Sequence, residues 1–492
     1  MLLLGIDVGT SSVKVSVVDA ATQQNITSAQ YPETEAEIIA RQPGWAEQSP
    51  ASWWLYTQQA ILKAHASGKY KPGDIAAIGI AYQMHGLVIV DRNQHVLRDS
   101  IIWCDSRAVP YGDAAFKAIG ETKCLAQLLN SPGNFTAAKL AWVKQNEPAV
   151  FEQAFKIMLP GDYIAMQLTG NITTSISSLS EGLFWDFKNN TLSGDVMDYF
   201  GFNESIIPAV KDVFSEHGHV SLTVANALNL KAGIPVSYKA GDQPNNALSL
   251  NVFEPGEVAA TAGTSGVIYG VSDALAYDPR SRVNTFAHVN YTSQQKRLGI
   301  LLCINGTGIL NKWIRNLNGS HIGYAQLNAE AAAIEEGSGD LYILPFGNGA
   351  ERMLNNKLVG AHIHNIDLNK HTPAHLYRAG QEGIAFAFRY GLDIMRGNGM
   401  SPSVIRAGKA NMFLSEVFIH AFVNATGVPV ELYESDGSTG AALGAGIGAK
   451  IFANTKEAFA GMKALGMVEP VKETGYETHY QKWRACLERE LL

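Results

Sequence analysis

Cysteine is scarce in this chain. Cys104, Cys124, Cys303 and Cys486 are the only four among 492 residues, and no two of them stand in a C-x-x-C spacing. With so few and such scattered cysteines, neither a zinc site nor a disulfide framework is indicated, and a cytoplasmic, reducing location fits best. No apolar run approaches the ~20 residues that span a bilayer. The apolar N-terminal stretch is interrupted at Asp7 and has no basic flank, so neither a membrane segment nor a secretory signal is expected. Charge is thin as well: charged residues are 17% of the chain and the net charge is −7, which argues against broad nucleic-acid or membrane-surface binding. Solenoid repeats, low-complexity tracts and long charge runs are missing, and no G-x-x-x-x-G-K-[ST] loop is present, so this is not a P-loop protein.

What is present is a large, soluble-looking chain, 46% hydrophobic and too long for one core, so two domains are expected. Its most informative stretch is Leu2–Asp19. One apolar run ends at Asp7, turns through Gly9, Thr10, Ser11 and Ser12, and a second run follows with Lys14 near its start. This reads as a β-hairpin whose tip offers backbone N–H groups, hydroxyls and a cation to an anion. Asp7 is the wrong charge for phosphate and the right chemistry for Mg2+ or its waters beside one. Taken alone, an ordinary polar turn explains the tip equally well. The pattern recurs, however: Gly263, Thr264, Ser265 and Gly266 again sit between apolar runs about half a chain later. Two such tips suggest two related domains gripping one polyphosphate.

Other candidates are weaker one by one. Asp242 follows the expected strand Val236–Ala240, where a carboxylate can accept a proton from a substrate hydroxyl, although Gly241 before it and Gln243-Pro244 after it also suit a capping turn. Gln83, Met84 and His85 end another expected strand and suit a polyhydroxylated ligand. Trp103 offers an aromatic face, and Asp105 with Arg107 an ion pair that is equally architectural. Arg406-Ala407-Gly408 leads to a helix expected to open near Asn411, whose N-terminus suits nucleotide contact. The Gly440–Gly448 run fails as a dinucleotide fingerprint and reads as close helix packing. His362, His364, His371 and His375 show no further ligands at metal-like spacing and read as structural or surface histidines, with Thr372-Pro373 starting a helix.

The hairpin-plus-αβα order, seen twice, resembles the actin-like (ribonuclease H-like) ATPase fold: an α/β architecture of two duplicated domains around a cleft, here expected at 1–245 and 246–492, with the last helix expected to pack back on the first domain. More specifically, and from end to end, the chain resembles the FGGY family of carbohydrate kinases. The matching elements are Gly5–Ser12, Gly44–Pro50 with Trp53-Trp54, Gln83–Gly86, Gly241-Asp242 and Ala262–Gly266. That resemblance implies ATP and Mg2+ as cofactors and a sugar as partner, with a homodimer common among relatives. It implies Asp242 as catalytic base, a sugar site at Gln83, Met84, His85, Trp103, Asp242 and Gln243, and Asp7 beside the metal. Nucleotide contacts are implied at Gly9, Thr10, Ser11, Ser12, Lys14, Gly263, Thr264, Ser265, Gly266, Gly308, Ala407, Gly408 and Asn411. Gln83-Met84-His85 is typical of the branch acting on a ketopentose, so phosphorylation of D-xylulose at C5 is implied. Ribulose, gluconate or glycerol as acceptor, an actin-like ATPase without a small acceptor, and a faded sugar-binding homologue are the alternatives. Two elements depart from the family. Arg406 stands at a usual glycine position, where it is expected to obstruct the nucleotide or touch its phosphate, and Gly349-Ala350-Glu351-Arg352-Met353 replaces a Gly-Glu-Arg-Thr-Pro element.

Overall fold

In the computed structural model, residues 1–317 and 322–492 are described. Two mixed sheets organise them. The first runs in the spatial order Asn25–Tyr31, Val13–Asp19, Leu2–Val8, Ile75–Tyr82, Pro235–Gly241, with the short strand Gly218–His219 at its edge. The second runs Asn284–Ala287, Leu298–Ile304, Gly266–Ser272, Glu257–Ala262, Val404–Gly408, Val430–Tyr433, Gly466–Val468. In both, an antiparallel meander is followed by two parallel strands reached by crossovers. The same order twice is the duplicated actin-like arrangement.

The first sheet is covered on both faces, which is why Leu2–Val8 is a continuous apolar run rather than an alternating one. Leu4, Ile6 and Val15 pack with Trp53 and Ile61 of the helix Pro50–Ala66. Leu3, Ala77 and Tyr238 pack on the other side with Ala441 and Ala442. Those two belong to the helix Gly437–Gly448, which comes from the far half of the chain and lies flat on the first sheet. Small residues permit this closeness: a Cβ on Gly5 would stand 1.7 Å from the Ser438 carbonyl oxygen, and one on Gly79 1.9 Å from that of Ala441. The reading of this run as close packing is correct, though the helix opens at Gly437, where the Asp436 side chain accepts hydrogen bonds from the Ser438 and Thr439 N–H groups.

Three expectations need correction. The last helix, Tyr476–Leu491, packs on the second half instead of the first: Trp483 lies against Phe346 and Phe386 and donates to the Ile343 carbonyl at 2.9 Å. The chain does return to the first sheet, but through Gly437–Gly448. The helix placed near Asn411 begins at Glu416, and Asn411 itself has φ +53 and opens a short 3-10 turn. Asp242 is the first residue of a helix, Asp242–Ser249, rather than part of a turn; Pro244 in its first turn lacks an N–H that would be unpaired there anyway. Thr372 and Pro373 do start a helix, which runs to Gly397. Among the described residues no helix is long and apolar enough to cross a membrane.

Candidate functional site

Parallel strands place their carboxyl ends on one edge, and open α/β sheets bind ligands there. Leu2–Val8, Ile75–Tyr82 and Pro235–Gly241 are adjacent and parallel, with Val8 opposite Tyr82 and Gly241 opposite Tyr82. Their ends deliver Asp7, Gln83-Met84-His85 and Asp242 to the same place. Burial raises the Asp7 carboxyl to about 6, against the opposing pull of Lys14. Burial, and then the charge of Asp7, raise Asp242 to about 7, while hydrogen bonds involving Gln243 pull it partly back. The second half reaches the same spot. A Cβ on Gly437 would lie 2.4 Å from Asp7 Oδ2, and the Gly437 carbonyl accepts from Asn245 Nδ2 at 2.9 Å.

The first hairpin tip is braced from below. Gly9 N–H donates to the Ser12 carbonyl at 3.0 Å, closing the turn. Gln48 Nε2 donates to the Thr10 carbonyl at 2.7 Å, and Gln48 Oε1 accepts from Gln83 Nε2 at 2.9 Å. Thr10 Oγ1 donates to Gln83 Oε1 at 3.2 Å and accepts from the Trp103 indole at 2.9 Å. Gln83 is therefore buried beneath the first tip with both ends of its amide engaged, whereas Trp103 donates to Thr10 and leaves half of its surface, 51%, exposed. The Lys14 ammonium forms an ion pair with Asp436, the residue capping the Gly437–Gly448 helix. Asp105 and Arg107 form a buried cluster with Glu47, Trp45 and Trp142, so that pair is architectural.

Around Asp242 the structure assembles residues with sugar-binding chemistry. Gly241 is forced to be glycine, since a Cβ there would stand 2.7 Å from both Met84 Cγ and Glu181 Oε2. His85 has φ +62, its ring lies against Phe135 and Phe286 with centroids 4.8 and 5.4 Å away, and its Nδ1 donates to the Glu181 carbonyl at 3.2 Å. Burial, with the charges of Lys139 and Arg352, lowers its pKa to about 3, so the imidazole is neutral. With Nδ1–H committed to a carbonyl, Nε2 keeps a lone pair for a ligand hydroxyl. Glu181, Phe135 and Phe286 escaped the sequence reading, because each is distant along the chain and unremarkable in its own segment, and Arg352 stood out there only as part of a departing family element and not as a neighbour of His85. Arg352 lies 6.0 Å from the Phe135 ring centroid, and its charge reaches Cys303.

The second tip opens on a pocket of about 380 Å³ lined by Gly263, Thr264, Gly308, Lys312, Tyr324 and Asn411, among others, a size suited to a small-molecule cofactor. Gly308 N–H and Ile309 N–H donate to the Gly263 and Thr264 carbonyls at 2.9 and 3.1 Å, seating the helix Gly308–Leu317 on the tip. Ser265 is exposed beside it. Gly266 packs under the tip, since a Cβ there would stand 2.5 Å from Phe388 Cζ. Ala407 is fully buried in its strand, and Gly408 ends that strand near Ser435. Arg406 neither blocks the pocket nor points to it: its guanidinium bonds Glu257 and Glu431, both at 2.9 Å. Cys303, paired across the sheet with Val267 just beyond the second tip, feels the charge of Asp242.

Comparison with known proteins agrees with this geometry. Residues 2–249 match the N-terminal domain, and residues 258–450 the C-terminal domain, of the FGGY family of carbohydrate kinases. The chain belongs to this family. Among its relatives is the xylulose kinase of Escherichia coli K12, 29% identical over 93% of this chain and 91% of that protein. A solved xylulose kinase from Brucella ovis superimposes with a TM-score of 0.88 at 26% identity, covering 99% of each chain. A gluconate kinase from Lactobacillus acidophilus shares the fold with a TM-score of 0.90 at 20% identity, covering 100% of this chain and 98% of that one. As an FGGY carbohydrate kinase the chain has a defined reaction class, and its acceptor has to be argued from the site.

Proposed function

We propose that this FGGY kinase transfers the γ-phosphoryl group of ATP to the C5 hydroxyl of D-xylulose, giving D-xylulose 5-phosphate and ADP. One observation carries the reading: a carboxylate of raised basicity, Asp242, stands with Met84 and neutral His85 at the strand edge that also carries the first tip, within electrostatic reach of the second. In this scheme residues 1–245 hold the sugar and the first phosphate tip, and residues 246–492 hold the nucleotide. The sugar lies against Met84, His85, Asp242 and Gln243. His85 Nε2 accepts from one sugar hydroxyl, while Asp242 takes the proton of the hydroxyl that attacks phosphorus in line. Gly9, Thr10, Ser11 and Ser12 face the triphosphate from one side, and Gly263, Thr264 and Ser265 from the other. Gly308 and Asn411 line the nucleotide pocket.

The donor set fits Mg2+. Asp7 offers carboxylate oxygens, its protonated form is favoured only by burial, and its neighbouring ammonium is paired with Asp436. When bound with the nucleotide, Mg2+ neutralises phosphate charge; Asp7 would hold it or its waters. The acceptor is identified from the relatives named xylulose kinase and from Met84-His85. ADP release with D-xylulose, ribulose, gluconate and glycerol tests it. D-xylulose should give the highest kcat/KM, and preference for another acceptor would replace it.

A further inference from the structure

His362 and His364 stand two residues apart on the strand Gly360–His364 and therefore share a face. Their rings are nearly parallel, 19° apart, with centroids at 5.8 Å. Glu490, in the last turn of the final helix, places its carboxylate beside both: Oε2 is 3.7 Å from His362 Nδ1 and Oε1 is 3.6 Å from His364 Nε2. These separations exceed hydrogen bonds. They are close to the edge of a coordination tetrahedron, roughly 3.3 Å for the bond lengths of zinc. All three donor groups lie within 4.8 Å of one another.

The surroundings prepare both imidazoles as ligands. His362 Nε2 donates to the Val359 carbonyl at 2.8 Å, which fixes the tautomer and leaves the Nδ1 lone pair facing Glu490. A histidine whose other nitrogen is held by a carbonyl is the usual support of a metal ligand. His364 Nε2 is buried and has no hydrogen-bond partner. The other histidines singled out in the sequence differ: His371 Nδ1 accepts from the Asp367 N–H, and His375 Nδ1 from the Thr372 N–H. The neighbouring Arg489 opposes a cation here, but its guanidinium is directed to Cys486 Sγ at 3.1 Å.

We propose that His362, His364 and Glu490 bind a divalent transition-metal ion of the zinc type, with water completing its coordination. Two imidazoles and one carboxylate suit Zn2+ or Co2+ and are poor ligands for Mg2+, so the site is chemically separate from the nucleotide metal. The ion ties the end of the last helix to the strand pair Tyr342–Phe346 and Gly360–His364, and by mass action it stabilises the folded chain. The test uses the untagged, full-length protein, stripped by chelator and titrated with Zn2+ and with Co2+. One ion per chain, visible Co2+ absorption of a low-symmetry site and a raised Tm are expected, with kinase turnover unchanged. H364A and E490Q should each weaken binding at least ~10-fold, while H375A should not. Absence of binding by the native chain, or equal binding by H364A and E490Q, overturns the proposal.

Discussion

Asp242 and Arg406 show how much the surroundings of one residue decide. Asp242 has its pKa pushed to about 7 by burial and by Asp7. A base works deprotonated, and a raised pKa depletes that form on the acid side. kcat/KM for the sugar should therefore be flat above pH ~7 and fall toward tenfold per unit below it; a profile flat to pH 5 would contradict the assignment. Arg406 bonds Glu257 and Glu431. Arg406→Ala should leave the ATP KM within about twofold and cost roughly 1–3 kcal/mol of stability, read by urea unfolding, because two partly buried carboxylates lose their partner. A changed KM with unchanged stability would put Arg406 at the nucleotide after all. The identity of both residues was plain in the sequence. Their partners were not, since those come from other strands and from distant points along the chain. For the same reason the hydrogen bonds of Gln83 and Trp103 to Thr10 of the first tip could not be seen in the chain.

At the scale of elements, hydrophobic runs and hairpin tips carried most of the legible signal. The strands Leu2–Val8, Val13–Asp19 and Ile75–Tyr82 and the helix from Pro373 could be read from pattern and capping residues alone. Short helices could not: Asp242–Ser249 contains a proline and a pair of asparagines, and packing rather than propensity forms it. The Gly437–Gly448 helix illustrates the complementary point. Its composition announced close packing, while the surface it packs on is a matter of topology. Gly79→Ala would drive a Cβ to 1.9 Å from the Ala441 carbonyl oxygen, so it should destabilise by about 1–3 kcal/mol or more. Denaturant midpoints would show this, and an unchanged midpoint would mean that the helix does not lie on the first sheet. Because Gly437 also backs Asp7, the same substitution should raise the nucleotide KM in whatever fraction stays folded.

For the whole molecule, duplication explains why phosphoryl transfer needs so few reactive groups. In the proposed scheme each half supplies a hydroxyl-bearing tip to the triphosphate, and the single carboxylate of Asp242 suffices when positioning and charge neutralisation do most of the work. Closure of the halves over both substrates would keep water from competing for the phosphoryl group, so ATP hydrolysis without sugar should be slow. The most direct measurement of the account is ADP release by Asp242→Asn beside the native enzyme, with sugar affinity followed by calorimetry on the same samples. Predicted are a ~10²–10⁴-fold fall in D-xylulose-dependent turnover and sugar affinity changed only a few-fold. Near-native turnover by Asp242→Asn would contradict it.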